Sequence, residues 1–352
     1  MKAFIKKNII TIVGICISLC VVGYFCISTG LDSLADTILS LDLNMLAVAV
    51  LCMFLYWLLE SVTLHLMIRH IYRGRKFSRT FRVAMIGQLY NAITPFASGG
   101  QPMQIYEMTV NDGMDAGKAS AVIARRSLIF QFCVTVFSVA SIIYGYSFFA
   151  TNIPRFSILT IIGVGLNLIY LTVLVMLAES PKLTRSISNG VIRLLSKMRI
   201  LKNPQNTRDK VEEQLKLFRA GNKLYDKSYV MQILNVVLTL VQLLFYFLVP
   251  YFIYRSFRLE GASVLLMTAA SAYVYAISSL IPLPGGSGAA EGSFYLLFTL
   301  FFTAATLSSG MLLWRIITYY LCFVGGLIAM SVVKKKSTSE KKAVRSSRKD
   351  QD

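Results

Sequence analysis

Charge is scarce in this chain of 352 residues. Only 15% are Asp, Glu, Lys or Arg, against about a quarter in an ordinary soluble domain. Acidic residues are the scarcer sign, 17 against 36 basic, for a net charge of +19. Histidine is scarcer still: His65 and His70 are the whole supply. They flank a segment boundary without ligand partners, so histidine catalysis is not expected. The six cysteines (Cys16, Cys20, Cys26, Cys52, Cys133 and Cys322) include no CxxC and lie in or near apolar runs. They read as small buried hydrophobes, with no disulfide framework and no metal site. No phosphate-binding loop of the Walker type is visible, so direct ATP coupling is not expected. No cofactor is expected. A net charge of +19 would point a soluble protein toward nucleic acid, but here the basic residues stand in blocks beside apolar spans. Such blocks set membrane orientation and attract anionic lipid.

Hydrophobic residues make up 55% of the chain. Their runs reach the roughly 20 residues that a spanning helix needs. The expected fold is an all-α polytopic integral membrane protein, with about six full transmembrane helices and two broken, re-entrant helix pairs in an inverted-repeat arrangement. The full spans read Ile9–Ile27, Met45–Ile68, Ser127–Ala150, Phe156–Ala178, Tyr229–Ile253 and Gly310–Val333. Glu60 falls inside the second and reads as a packing group or a ligand. The first membrane half is 1–178, with its break near 92–107. A basic linker, 179–228, carries Leu183, Ile187, Val191, Leu194 and Met198 at helical spacing, and reads as an amphipathic hairpin on the inner leaflet or as a solvated connector. The second half is 229–333, with its break near 281–294, and 334–352 is a basic tail. Arg69–Arg82, the linker and the tail concentrate Lys and Arg, so both termini are expected in the cytosol.

The two breaks carry the functional argument. The second, Ile281–Phe294, reads Ile-Pro-Leu-Pro-Gly-Gly-Ser-Gly-Ala-Ala-Glu-Gly-Ser-Phe. The first, Ala92–Tyr106, reads Ala-Ile-Thr-Pro-Phe-Ala-Ser-Gly-Gly-Gln-Pro-Met-Gln-Ile-Tyr, with Glu107 next. Pro95, Gly99 and Gly100 in one, and Pro282, Pro284, Gly285, Gly286 and Gly288 in the other, cannot continue a helix. At bilayer depth, broken backbone survives only when buried in protein or lining a wet cavity. Interrupted apolar segments at corresponding places in two halves point to a transporter-type site. Aligning Gly99-Gly100 with Gly285-Gly286 spaces the breaks by 186 positions (285 − 99). The alternative is two unrelated Pro/Gly loops. Glu291, Arg315, Glu107, Arg125, Arg126, Gln101 and Ser287 are the candidate substrate contacts, with internal salt bridging as the alternative role for the charges. Free N–H groups at half-helix N-termini, with arginine forks, suit a phospholipid headgroup.

Pro282–Gly292 and Thr94–Pro102 resemble the two signature stretches of the lysylphosphatidylglycerol synthase transmembrane family, which includes the membrane region of the bacterial multiple peptide resistance factor. The resemblance runs from the first span to the last. It implies a flippase-like protein of the bacterial plasma membrane that translocates phospholipid. The lipid implied is aminoacylated (lysyl) phosphatidylglycerol, with a role in envelope charge and resistance to cationic antimicrobial peptides. Nineteen residues follow Val333 (352 − 333), so the aminoacyl-transferring synthase domain is expected to be absent from this polypeptide. The rival readings are a phosphatidylglycerol lysyltransferase acting with a separate synthase protein, and a membrane scaffold. Expected partners are the membrane and its anionic or aminoacylated phospholipids, with a homodimer or a separate synthase as further candidates and no nucleic acid.

Overall fold

The computed structural model describes residues 41–331 apart from 73, 280, 282 and most of 181–227, of which 185–186, 189–190, 209, 212–213 and 215–222 are described. The expected span Ile9–Ile27, the basic tail, Pro282 and most of the linker lie outside the described residues.

The described chain is helical, with no strand. Helix α1 is Leu43–Ile71, capped by Asp42, whose carboxylate accepts from Asn44 N at 2.9 Å. Helices α2 (Phe77–Ile93) and α3 (Gly100–Tyr106) flank a 3₁₀ turn at Pro95–Ala97, and α3 runs on as a π-helical turn, Glu107–Asn111. Then come α4 (Ala116–Asn152), α5 (Phe156–Glu179), α6 (Tyr229–Ser256) and α7 (Val264–Ser278). A second 3₁₀ turn, Pro284–Gly286, precedes α8 (Ala289–Phe298). Helices α9 (Ala304–Arg315) and α10 (Leu321–Ser331) are joined through a π-helical turn, Ile316–Tyr320. Among the described residues five continuous helices are long and apolar enough to cross a membrane: α1, α4, α5, α6 and the joined α9–α10. Helices keep their backbone hydrogen bonds within the segment, which a hydrocarbon solvent requires. This is an all-α, multi-pass membrane protein.

Three expected boundaries shift. Helix α4 begins at Ala116 rather than Ser127, so Arg125 and Arg126 lie inside it. Their charges are tolerated there because other helices supply partners. The last span begins at Ala304 rather than Gly310. Accordingly α8 ends at Phe298, because Thr303 turns extended (ψ 160) ahead of α9.

Both broken segments form hairpins, α2 against α3 and α7 against α8. They enter from opposite ends of the bundle. Helix α2 follows the C-terminal end of α1. Helix α7 follows the C-terminal end of α6, which lies beside the start of α1, where Asp42 N donates to Ser256 O at 2.8 Å. Each hairpin has its own apolar core. Phe294, Phe298, Phe302, Trp314, Phe149 and Tyr273 pack around the second, and Leu64, Met67, Val83, Met108, Val122 and Phe247 around the first. The two 3₁₀ turns at the hairpin tips touch.

The linker fragments sit at the α2 end. Arg185 pairs with Glu212, and Gly221 lies close enough to Ala121 and Ile71 that a Cβ would sit 2.8 Å from the Ala121 methyl.

Helix α10 closes the bundle against α2 through Gly326, where an added Cβ would lie 2.4 Å from Leu89 Cβ and 3.0 Å from Met85 O. Gly326→Val should therefore pry the two helices apart and cost about 1–3 kcal/mol, the usual range for overpacking. Unfolding in detergent, followed by circular dichroism, checks it, and an unchanged midpoint would mean the helices do not meet there.

Candidate functional site

The second tip is built by residues in the left-handed region. Gly285 (φ 62) and Gly286 (φ 61) follow Pro284. No other residue fits at Gly285, where a Cβ would lie 2.3 Å from the Tyr319 ring. The first tip makes the same turn with the wrong residues for it: Phe96 (φ 55) and Ala97 (φ 49) follow Pro95. Left-handed backbone costs a non-glycine residue roughly 1–2 kcal/mol. The tips match when Pro95 is laid on Pro284, a spacing of 189 (284 − 95). The residues before the turns agree closely, Thr94 at φ −110, ψ 148 and Leu283 at φ −114, ψ 146. The spacing of 186 taken from the Gly-Gly pairs is thus corrected by three residues, because prolines and left-handed residues define the turn. In this register Glu291 corresponds to Pro102.

Glu291 stands in the first turn of α8. Its Oε2 accepts from Gly288 N at 2.6 Å. It thereby satisfies a free donor at the helix start, and its charge opposes the helix dipole. Its Oε1 lies 2.7 Å from Arg315 Nη2. Arg315 Nη1 donates to Gly285 O at 3.1 Å, so the arginine holds both the carboxylate and the turn. Its guanidinium lies 5.1 Å from the Trp314 ring centre and 5.5 Å from that of Tyr319, within cation–π range. Trp314 stacks on Phe294 at 5.0 Å. Glu291 is 6% exposed and Arg315 7%. Arg315 Nε has no hydrogen-bond acceptor among the described residues. Tyr319 then reaches across to the first half: its hydroxyl donates to Ala92 O, one turn from the first tip, at 3.0 Å. Ser287 is buried beside the pair, but its hydroxyl donates to Pro284 O at 2.8 Å and closes the turn.

The first tip satisfies its own donors. Thr94 Oγ1 accepts from Gly99 N at 2.8 Å, and Asn91 Oδ1 accepts from Gly100 N at 2.9 Å. The free N–H groups expected at this half-helix are therefore engaged at those two positions. Gly100 also admits the close approach of Asn91, to which a Cβ would lie at 2.3 Å. Gln101 is half-buried on α3, one residue on.

The remaining candidates lie away from the tips. Glu107 is at the foot of the first hairpin, accepting from Asn111 Nδ2 at 2.7 Å and lying 3.8 Å from Arg82. Arg75 pairs with Asp112 there at 2.7 Å. Arg126 pairs with Glu60 at 2.7 Å, and Gln88 Nε2 donates to the other Glu60 oxygen at 2.5 Å. That network pins α4, α1 and α2. Arg125 Nη2 donates to Gln232 Oε1 on α6 at 2.6 Å. Helical spacing would have to be known across four helices to foresee these partners. Sequence reasoning also passed over Tyr319, Asn91 and Thr94. The signal for the last two was present: polar side chains eight (99 − 91) and five (99 − 94) residues before the Gly-Gly pair.

Breaking a buried ion pair leaves an uncompensated charge at a cost of about 3–5 kcal/mol. Glu291→Gln or Arg315→Met alone should each destabilise by that order. The double variant should recover most of it, as measured by a double-mutant cycle of unfolding in detergent. Additive losses would show that the two side chains are not coupled.

Comparison with known proteins agrees with this architecture. A UPF0104 membrane protein of Archaeoglobus fulgidus is 25% identical over 330 residues, covering 92% of this chain and 98% of its own length. The family model described as lysylphosphatidylglycerol synthase TM region matches residues 11–326. The match takes in both hairpins, both tips and the Glu291–Arg315 pair, and the chain belongs to the lysylphosphatidylglycerol synthase transmembrane-region family.

Proposed function

We propose that this chain is a flippase-like protein that moves a phospholipid between leaflets. The lipid proposed is aminoacylated (lysyl) phosphatidylglycerol, in a bacterial plasma membrane with both termini in the cytosol. The observation that carries the proposal is the buried Glu291–Arg315 pair at the point where two hairpin tips, entering from opposite ends, meet. A charged pair at such a place is costly, and in membrane proteins it marks substrate pathways. The pair has the two chemistries an aminoacyl phospholipid requires. The Arg315 fork matches a phosphate, and Glu291 can receive an ammonium. A headgroup carrying both charges exchanges with the internal ion pair so that neither side chain is left bare. The acyl tails stay in lipid. Translocation would place cationic headgroups in the outer leaflet and lower the envelope's attraction for cationic antimicrobial peptides.

The family's synthase name supports a second reading, in which the chain serves a separate enzyme that transfers lysine to phosphatidylglycerol. Lipid aminoacylation in cells expressing this chain with no other synthase would favour direct catalysis.

Liposomes loaded with lysyl-phosphatidylglycerol test translocation, with an amine-reactive, membrane-impermeant reagent reporting the exposed leaflet. Purified protein should speed equilibration between leaflets. Glu291→Gln and Arg315→Lys should each slow it about tenfold, the equivalent of losing ~1.4 kcal/mol. A rate equal to that of protein-free liposomes rejects the proposal.

A further inference from the structure

A groove of about 300 Å³ opens between the first turn and a half of α2 and the end of α10, at the foot of the first hairpin. Ser78, Arg79, Phe81 and Arg82 line one wall, and Gly325, Ile328 and Ala329 the other. It is distinct from the hairpin tips.

The two walls differ in chemistry. Arg79 is exposed and makes no ion pair among the described residues. Arg82 lies 3.8 Å from both Glu107 and Asp112, beyond hydrogen-bond reach. Its Nε is buried with no hydrogen-bond partner among the described residues. These two guanidinium groups are separated by one helical turn (i, i+3) and face the same side. Ser78 adds an exposed hydroxyl. The α2 N-terminus lies just behind, with no side-chain cap from Lys76, so its partial positive charge adds to theirs. The opposite wall is apolar and continues into the outward face of α10, where Val324, Leu327 and Ile328 are 51%, 48% and 60% exposed. Gly325 brings α10 close to α2, since a Cβ there would lie 2.7 Å from Met85 Cε.

We infer that this groove is a docking site for an anionic glycerophospholipid of the adjacent leaflet. The phosphate sits between Arg79 and Arg82, and an acyl chain lies along Gly325, Ile328 and Ala329. A soluble anion would gain from the arginines but nothing from the apolar wall. A neutral lipid would gain only from the wall. The feature that points to an anionic lipid is the coincidence of an unpaired arginine, a loosely held one and a strip of membrane-facing side chains. The site does not depend on translocation. It would anchor α2 to α10, and so the first hairpin to the last span, whatever the tips do.

The test uses the full-length protein in nanodiscs of equimolar phosphatidylglycerol and phosphatidylcholine, transferred to detergent and read by native mass spectrometry. The wild type should retain phosphatidylglycerol in preference to phosphatidylcholine. Arg79→Gln removes a charge that holds nothing else and should cut that retention about fivefold, the equivalent of ~1 kcal/mol for one basic residue at a membrane surface. Ala329→Trp fills the groove without altering charge and should do the same. Arg255→Gln, which removes a charge at the other end of the bundle, in the last turn of α6, should retain lipid like the wild type, which ties the effect to the groove. Equal retention of the two lipids by the wild type would overturn the proposal, as would wild-type retention by both groove variants. Displacement of the lipid by millimolar inorganic phosphate would show a site for the ion alone and would also overturn it.

Discussion

Everything in this fold answers to one constraint: polar groups within an apolar bundle must find their partners inside the protein. A helix meets it automatically, and a broken helix does not. The two breaks meet it by different means. At the first, Thr94 and Asn91 turn back to accept from Gly99 and Gly100. At the second, Glu291 accepts from Gly288, and Arg315 binds both Glu291 and Gly285 O. Neutral side chains suffice in one case. The other uses a full ion pair, although neutral groups could have satisfied the same turn. That excess of charge is why the proposed site lies at the second tip rather than the first.

Among the described residues, three clusters of largely buried charged side chains lie along the bundle. Glu291 and Arg315 lie at the tips. Glu60, Arg126 and Gln88 join three helices. Arg75, Arg82, Glu107 and Asp112 gather at the foot of the first hairpin. The lower two groups read as fasteners, because each joins elements distant in sequence and their carboxylates are met by arginine. Tyr319 connects the tips themselves through Ala92 O. Movement at the Glu291–Arg315 pair would therefore be felt in the first hairpin, through a ring that also lies against Gly285.

The tips are similar but not equal. Gly285 and Gly286 adopt left-handed backbone without penalty, while Phe96 and Ala97 adopt it with strain. Phe96 is also 57% exposed. The relation between the halves is therefore one of turn geometry and entry direction, not of side-chain chemistry. The register of 189 makes this plain, since it leaves Glu291 facing no glutamate in the other half.

Composition and run length determined the class of this protein. Apolar stretches of some twenty residues can only be spans, and proline with paired glycines must interrupt them, so helices, breaks and hairpins were all legible before any coordinates. That Glu291 and Arg315 stand beside a break in an apolar run was legible too, and a charge there must find a partner inside the protein. Their partners were decided only by tertiary structure. Arg125 and Arg126 are neighbours in sequence yet point to Gln232 and Glu60 on different helices, and Glu107, the glutamate that follows the first break, bonds to Asn111 at the far end of its hairpin. The reason is geometric. Successive helix residues are rotated by about 100°, so which neighbour a side chain meets depends on how the helices pack, and that information is spread over the whole bundle rather than held in any one stretch.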